Sequence, residues 1–230
     1  KKRVVIAGSH GKTTITSMVM HVLKHQQVKF DYMVGSAIEG FETMVGFDRH
    51  SEVAVFEGDE YLSSPLDSRP KFAHYRPHIT LITGIAWDHI NVYPDYSDYK
   101  NQFRELVRQT SGEGELIYFS GDEELSSIVK EEAPAKHSMK VKEYSEPRYS
   151  CVDGRMLVYY QGNRYPVNLI GRHNMQNMQG AMLVCRALGI DPERFLESMS
   201  TYRGAARRQE LLFSDEDIRI YLDFAHAPSK

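Results

Sequence analysis

Apolar positions in the first part of the chain follow two alternating rhythms. Arg3 to Ala7 is a short apolar run closed by Gly8, the texture of a strand buried on both faces of a parallel sheet. From Lys12 to about Lys24, the residues Ile15, Met18, Val19, Val22 and Leu23 recur at three- and four-residue steps, which sets them on one helix face. Strand, glycine-containing turn and helix thus come in that order. The pattern repeats more loosely: Val53 to Phe56, Ile79 to Ile82 and Leu116 to Phe119 read as strands, and Phe103 to Val107 falls in a helix. Strands alternating with helices predict an α/β fold, with a mostly parallel sheet flanked by helices.

Between Lys140 and Leu169 the texture becomes β-rich. Met156 to Tyr160 and Tyr165 to Leu169 flank the turn Gln161-Gly162-Asn163-Arg164, which predicts a hairpin and a small antiparallel β addition. Helical spacing returns from Asn174 to Leu188, where Met175, Met178, Met182 and Cys185 form a stripe that reads as core packing. Asp191-Pro192-Glu193 then starts a further short helix, with proline in the first turn.

A chain of 230 residues is long enough for one large domain, or one domain and the start of another. Hydrophobic residues at 41%, charged residues at 26% and a net charge of -3 describe an ordinary globular protein, with no basic excess to favour nucleic acid. The longest apolar runs fall far short of the ~18 residues that cross a bilayer, and no signal-like segment opens the chain, so a cytoplasmic protein is expected. Cys151 and Cys185 lie in unrelated contexts without metal-ligand spacing; both read as buried small apolar groups. The opening on Lys1 directly before a strand, and the polar end Ala227-Pro228-Ser229-Lys230, suggest a piece of a longer enzyme.

The strongest chemical signal is Gly8-Ser9-His10-Gly11-Lys12-Thr13-Thr14, set between the first strand and the first helix. Glycines let successive backbone N–H groups converge, a helix start adds partial positive charge and a lysine adds a full one, which together suit a triphosphate. Thr13 would offer its hydroxyl to Mg²⁺. The loop is shorter than the usual G-x-x-x-x-G-K-[ST] spacing, and its bland alternative is a glycine turn with a surface lysine. Glu57-Gly58-Asp59-Glu60 and Asp88-His89 follow two other strands and fall on the same sheet edge, where open α/β sheets bind ligands. Threonine, glutamate and phosphate oxygens make a natural Mg²⁺ site; a histidine ligand is less usual, and a solvated acidic loop is the alternative. Asn174 and Asn177 share a helix face and could read a base edge, although Asn174 could equally be an N-cap. Arg203 and Arg207-Arg208 could reach phosphate, or be a solvated turn, and Asp223 opens the terminal run Asp223 to Pro228.

Taken together and in this order, these motifs resemble the Mur ligase family, which includes the cell-wall ligases and, more distantly, folylpolyglutamate synthetase. The resemblance covers nearly the whole chain and rests on the compressed phosphate loop and on His173-Asn174-Met175-Gln176-Asn177. It implies a P-loop-containing central ATP-binding domain over residues 1–205 and the start of a C-terminal, amine-binding domain over 206–230. A UDP-binding domain would precede both. Lys12 would bind the β- and γ-phosphates of ATP, with the rest of the loop (Gly8, Ser9, His10, Gly11, Thr13 and Thr14) around them. Thr13 and Glu57 would hold one Mg²⁺, with His89 at a second. Asn174 and Asn177 would contact adenine, Arg208 would reach the phosphates and Asp223 the ribose.

His10 is similar to the branches that accept UDP-N-acetylmuramate, and Asp59 to Pro77 looks more like the branch that reattaches a recycled tripeptide than the one that adds L-alanine. The resemblance thus implies an ATP-dependent ligase of peptidoglycan recycling, with L-alanine addition in peptidoglycan biosynthesis as the alternative. The chain departs from the family at Arg104, which aligns with a lysine that other members carbamylate, and at Ala227, where a second histidine is common. Lys100 lies one turn before Arg104 as a possible neighbour of the metal. A GTPase would want Asn-Lys-x-Asp, which the chain lacks, and a non-catalytic nucleotide-binding module would have no use for Lys12, Thr13, Glu57, His89 and Arg208 together.

Overall fold

The computed structural model describes residues 1–133, 138–152, 154–204, 210–215 and 218–222. The chain opens with β1 (Lys2–Ala7), α1 (Lys12–His25), β2 (Phe30–Met33), the two-residue β3 (Val45–Gly46) and β4 (Val53–Glu57). A hairpin of β5 (Leu62–Ser64) and β6 (Asp67–Pro70) and a 3-10 turn at Lys71–His74 lead to β7 (Ile79–Ile82). Then come α2 (Tyr96–Gln109), β8 (Glu115–Phe119), α3 (Glu123–Glu132) and β9 (Lys140–Tyr144). The remaining elements are β10 (Tyr149–Val152), β11 (Arg155–Tyr160), β12 (Asn163–Val167), α4 (Arg172–Ala187), α5 (Pro192–Met199), β13 (Glu210–Ser214) and β14 (Arg219–Leu222).

The main sheet has seven strands in the order β3-β2-β4-β1-β7-β8-β9. Every neighbouring pair in it is parallel except β3 on β2. The fold is therefore the expected α/β one, and β1 sits at its centre with Val4 paired to Val55 on one side and Ile79 on the other. Alternation within β1 divides the core. Val4 and Ile6 pack into the cluster under α1, α4 and α5, while Val5 and Ala7 pack into the cluster under α2 and α3. All four are fully buried, which explains why this strand reads as a continuous apolar run.

The methionine stripe is core: Met175, Met178 and Met182 are buried, with Cys185, where α4 packs on α1. Several expectations need correcting. Lys140–Tyr144 is not part of the antiparallel addition but the parallel edge strand of the main sheet, because the backbone of β8 offers it a free ladder. The antiparallel addition is β10-β11-β12, and its turn is only Gln161-Gly162, both at positive φ, so Asn163 and Arg164 already pair within β12. Cys151 is exposed on the edge strand β10, whereas Cys185 is buried as expected. Asn174 is the third residue of α4 and not its N-cap, which is Gly171. No helix among the described residues is long and apolar enough to cross a membrane.

Candidate active site

Four helix starts differ in a way that marks the site. α2 and α3 are capped by aspartates: the Asp95 carboxylate accepts from Ser97 N–H, and Asp122 accepts from Leu125 N–H. α1 and α4 begin at Gly11 and Gly171, with no side-chain cap and no acid in the first turn. Neither helix start is closed by a capping side chain of its own, and both open on the same cleft of about 1430 Å³ at the carboxyl ends of the strands.

The loop between β1 and α1 is held from behind. Ser9 N–H donates to Gly84 C=O at 2.9 Å, and the buried Ser9 hydroxyl is engaged by Ala86 C=O and Tyr99. Ser9 therefore anchors the loop and has already committed its donors. Thr83 Oγ1 donates to His10 C=O, and His10 and Thr14 line the cleft. Gly8 and Gly11 are required at their places by contact as well as by conformation. At φ +116, a Cβ on Gly8 would lie 2.3 Å from Thr83 Oγ1; at φ +81, one on Gly11 would lie 2.4 Å from Asn177 Oδ1. Asn177 is thus packed against the loop between β1 and α1, one turn along α4 from Asn174, whose amide donates to Ile170 C=O.

The acidic run after β4 is not one solvated cluster. Thr13 Oγ1 donates to Glu57 Oε1 at 2.8 Å, and Glu57 Oε2 accepts from Gly35 N–H. Asp59 accepts from Lys71 at 2.7 Å. Burial alone would raise the Asp59 carboxyl, but the hydrogen bonds from Lys71 and Tyr61 N–H and the charges of Lys71 and Lys12 hold it below its ordinary value. Glu60, at 0% exposure, is the buried member. It meets Lys12 at 2.8 Å, accepts from the Tyr99 hydroxyl at 3.1 Å and stands 3.5 Å from His89 Nε2. Burial opposes its ionisation, and the Lys12 charge with the contacts of His89 outweighs burial, so the carboxyl is held low. Burial and then the Glu60 charge push the Tyr99 hydroxyl far up, keeping it a donor.

His89 lies at the other side of Glu60. It takes a left-handed backbone at φ 57, its N–H bonds the Asp88 carboxylate and its ring lies 4.3 Å from that of Tyr61. Thr13 and Glu57 supply a hydroxyl and a carboxylate side by side, a donor set that suits Mg²⁺ completed by phosphate oxygens and water. No group of three or more His, Cys, Asp or Glu that could hold a metal ion occurs among the described residues. Arg104 turns away to Glu131 and Glu132 of α3, and Lys100 pairs with Glu124 at 3.0 Å. Arg207, Arg208 and Asp223, with the run to Pro228, lie outside the described residues.

The structure therefore brings Ser9, His10, Gly11, Lys12, Thr13, Thr14, Glu57, His89, Asn174 and Asn177 to one cleft, while Gly8 packs behind the loop against Thr83 and Gly84 and does not line it. Sequence reasoning passed over Glu60, Tyr99 and Asp122. Glu60 stood in the quoted acidic run, but nothing in the linear pattern separated it from Asp59. Asp122 carried a legible signal, an acid just before a helix and just after a strand; its second oxygen accepts from Ile85 N–H at 2.6 Å.

An α/β domain whose central strand, compressed glycine loop and uncapped helix frame such a cleft has clear relatives. The chain belongs to the Mur ligase family: the family's middle-domain model matches residues 6–185. It is 27% identical over 231 residues to the UDP-N-acetylmuramate–L-alanyl-gamma-D-glutamyl-meso-2,6-diaminoheptandioate ligase of Escherichia coli K12, covering 98% of this chain and 50% of that protein. It is 28% identical over 241 residues to the UDP-N-acetylmuramate–L-alanine ligase of Caldicellulosiruptor bescii, covering 100% of this chain and 51% of that one. Among solved structures, the UDP-N-acetylmuramate:L-alanyl-gamma-D-glutamyl-meso-diaminopimelate ligase of Neisseria meningitides superposes with a TM-score of 0.75 at 26% identity, over 87% of this chain and 65% of that chain. The folylpolyglutamate synthase of Mycobacterium tuberculosis, at 13% identity and a TM-score of 0.78 over 99% of this chain and 64% of that chain, shares the fold. The chain spans about half the length of the curated relatives it matches.

Proposed function

We propose that this chain is the ATP-binding part of a ligase that joins the tripeptide L-alanyl-gamma-D-glutamyl-diaminopimelate to UDP-N-acetylmuramate. In this reading residues 1–205 form the central domain and 206–230 begin the amine-binding one, in a cytoplasmic enzyme of peptidoglycan recycling. The observation that carries it is the pairing of Thr13 with Glu57 at 2.8 Å beside Lys12, at an uncapped helix start.

A carboxylate oxygen of the muramate attacks the γ-phosphorus of ATP, ADP leaves, and an acyl phosphate results. The amine then attacks the acyl carbon, loses its proton and expels phosphate. Two anions must approach each other, so the work of the protein is to neutralise and align charge. Lys12 and the first-turn N–H groups of α1 take the β- and γ-phosphates. Thr13 and Glu57 would hold Mg²⁺, which would supply charge neutralisation between the phosphates and the attacking oxygen, and His89 would help to hold a second ion. Asn174 and Asn177 face the base, while Arg208 and Asp223 are assigned to the phosphates and ribose from family resemblance.

The test is phosphate release by the full-length protein given ATP, UDP-N-acetylmuramate and either the tripeptide or L-alanine. Tripeptide-dependent release is expected. Alanine-dependent release would replace it with the second reading, which the 28% identity to an L-alanine ligase supports. Release with neither would remove the cell-wall substrate and leave the fold.

A further inference from the structure

Lys12 is not waiting with an open charge. Its ammonium donates to Gly8 C=O at 2.6 Å and to Glu60 Oε1 at 2.9 Å, and Glu60 Oε2 is 2.8 Å away. The lysine is thereby folded back over its own loop, against a carboxylate that is wholly buried. That carboxylate cannot swing into water. It lies in the loop just past the end of β4 and is itself pinned, with Tyr93 donating to Glu60 C=O at 2.6 Å and Tyr99 donating to its Oε1.

We propose that Glu60 is a positioning residue that occupies the phosphate's place on Lys12 while the site is empty, so that nucleotide phosphate and Glu60 compete for one ammonium. The inference rests on the reading of Lys12 as the group that meets the β- and γ-phosphates. A buried carboxylate left without its counter-charge is costly, so each nucleotide that captures Lys12 gives back part of its binding energy. Departure of the product is eased in the same measure, because Glu60 recaptures the lysine as the phosphates leave. Tyr99 and His89 border the carboxylate and soften its isolation during the exchange. The substitution Glu60→Gln keeps the shape and removes the charge.

The experiment measures ADP and AMP affinity of the full-length protein and its Glu60→Gln variant by displacement of a fluorescent ADP analogue, with circular dichroism to verify folding. AMP lacks the β-phosphate assigned to Lys12 in this reading and serves as the internal control. The expected result is ADP binding of order tenfold tighter in the variant, with AMP changed less than about twofold. Weaker or unchanged ADP binding overturns the proposal, as does an equal change for both nucleotides, which a general structural effect would produce. Should Glu60→Gln not fold, Glu60→Asp, which draws the charge back by one methylene, carries the same comparison with the same signs. Wild-type protein that binds no adenine nucleotide overturns the nucleotide reading and this proposal together, and that outcome is seen before any variant is made.

Discussion

The hydroxyl of Thr13 and the carboxylate of Glu57 meet at 2.8 Å although 44 residues separate them, because β4 runs parallel to β1 and the two strand ends stop side by side. This contact predicts the metal dependence of the site. Thr13→Val, which keeps the shape and loses the oxygen, should weaken ADP binding about tenfold in Mg²⁺ and change it little in a chelator. Titration calorimetry under both conditions checks it; equal losses in both would show that Thr13 acts on the loop and not on the ion.

Gly11→Ala should abolish nucleotide binding and destabilise the fold by about 1–3 kcal/mol, because the new Cβ would face Asn177 Oδ1 at 2.4 Å on a backbone at φ +81. Adding Asn177→Ala should relieve the contact but not the backbone strain, restoring part of the stability in urea unfolding. Full restoration would mean that the left-handed backbone costs nothing there.

Phe103 is fully buried in the cluster under α2 and α3, against Phe72 and Tyr99. Phe103→Ala should cost about 3–5 kcal/mol in urea unfolding. The loss should also reach the site, since Tyr99 carries the hydroxyl that binds Ser9 and Glu60. A shift below about 1 kcal/mol would show that this cluster collapses around the cavity.

Asp31 is buried and accepts from Lys1 at 2.6 Å, Ser51 at 2.6 Å and Asp48 N–H at 2.9 Å. Burial would raise its carboxyl, but these hydrogen bonds hold it below the ordinary value. A lowered folded-state value means that the stabilisation is complete above the unfolded value of ~3.9, erodes below it and is gone once the pH has fallen through the folded value. Asp31→Asn should therefore cost about 1–3 kcal/mol at neutral pH, and the gap to wild type should close in acid. Chemical denaturation of both proteins across that range tests it; a gap independent of pH would assign the effect to shape alone.

Periodicity alone determined the layered α/β plan, because buried parallel strands and one-sided helices leave unlike apolar rhythms: Val4 to Ala7 against the spaced Ile15, Met18, Val19 and Val22. The loop Gly8 to Thr14 was legible for the same local reason, since its chemistry lies within seven consecutive residues between strand and helix. Only tertiary structure decided how the acids divide. Glu57, Asp59 and Glu60 differ by which helix or loop happens to stand opposite: Thr13, Lys71 and Lys12 in turn. Parallel strands join through long crossovers, so these partners are dozens of residues apart, or a dozen at the nearest, and no spacing rule connects them. The edge strand Lys140–Tyr144 escaped for the same reason: its ladder is set by the backbone of β8, while its side chains, exposed at Lys140 and Val141, show no strand of a buried sheet.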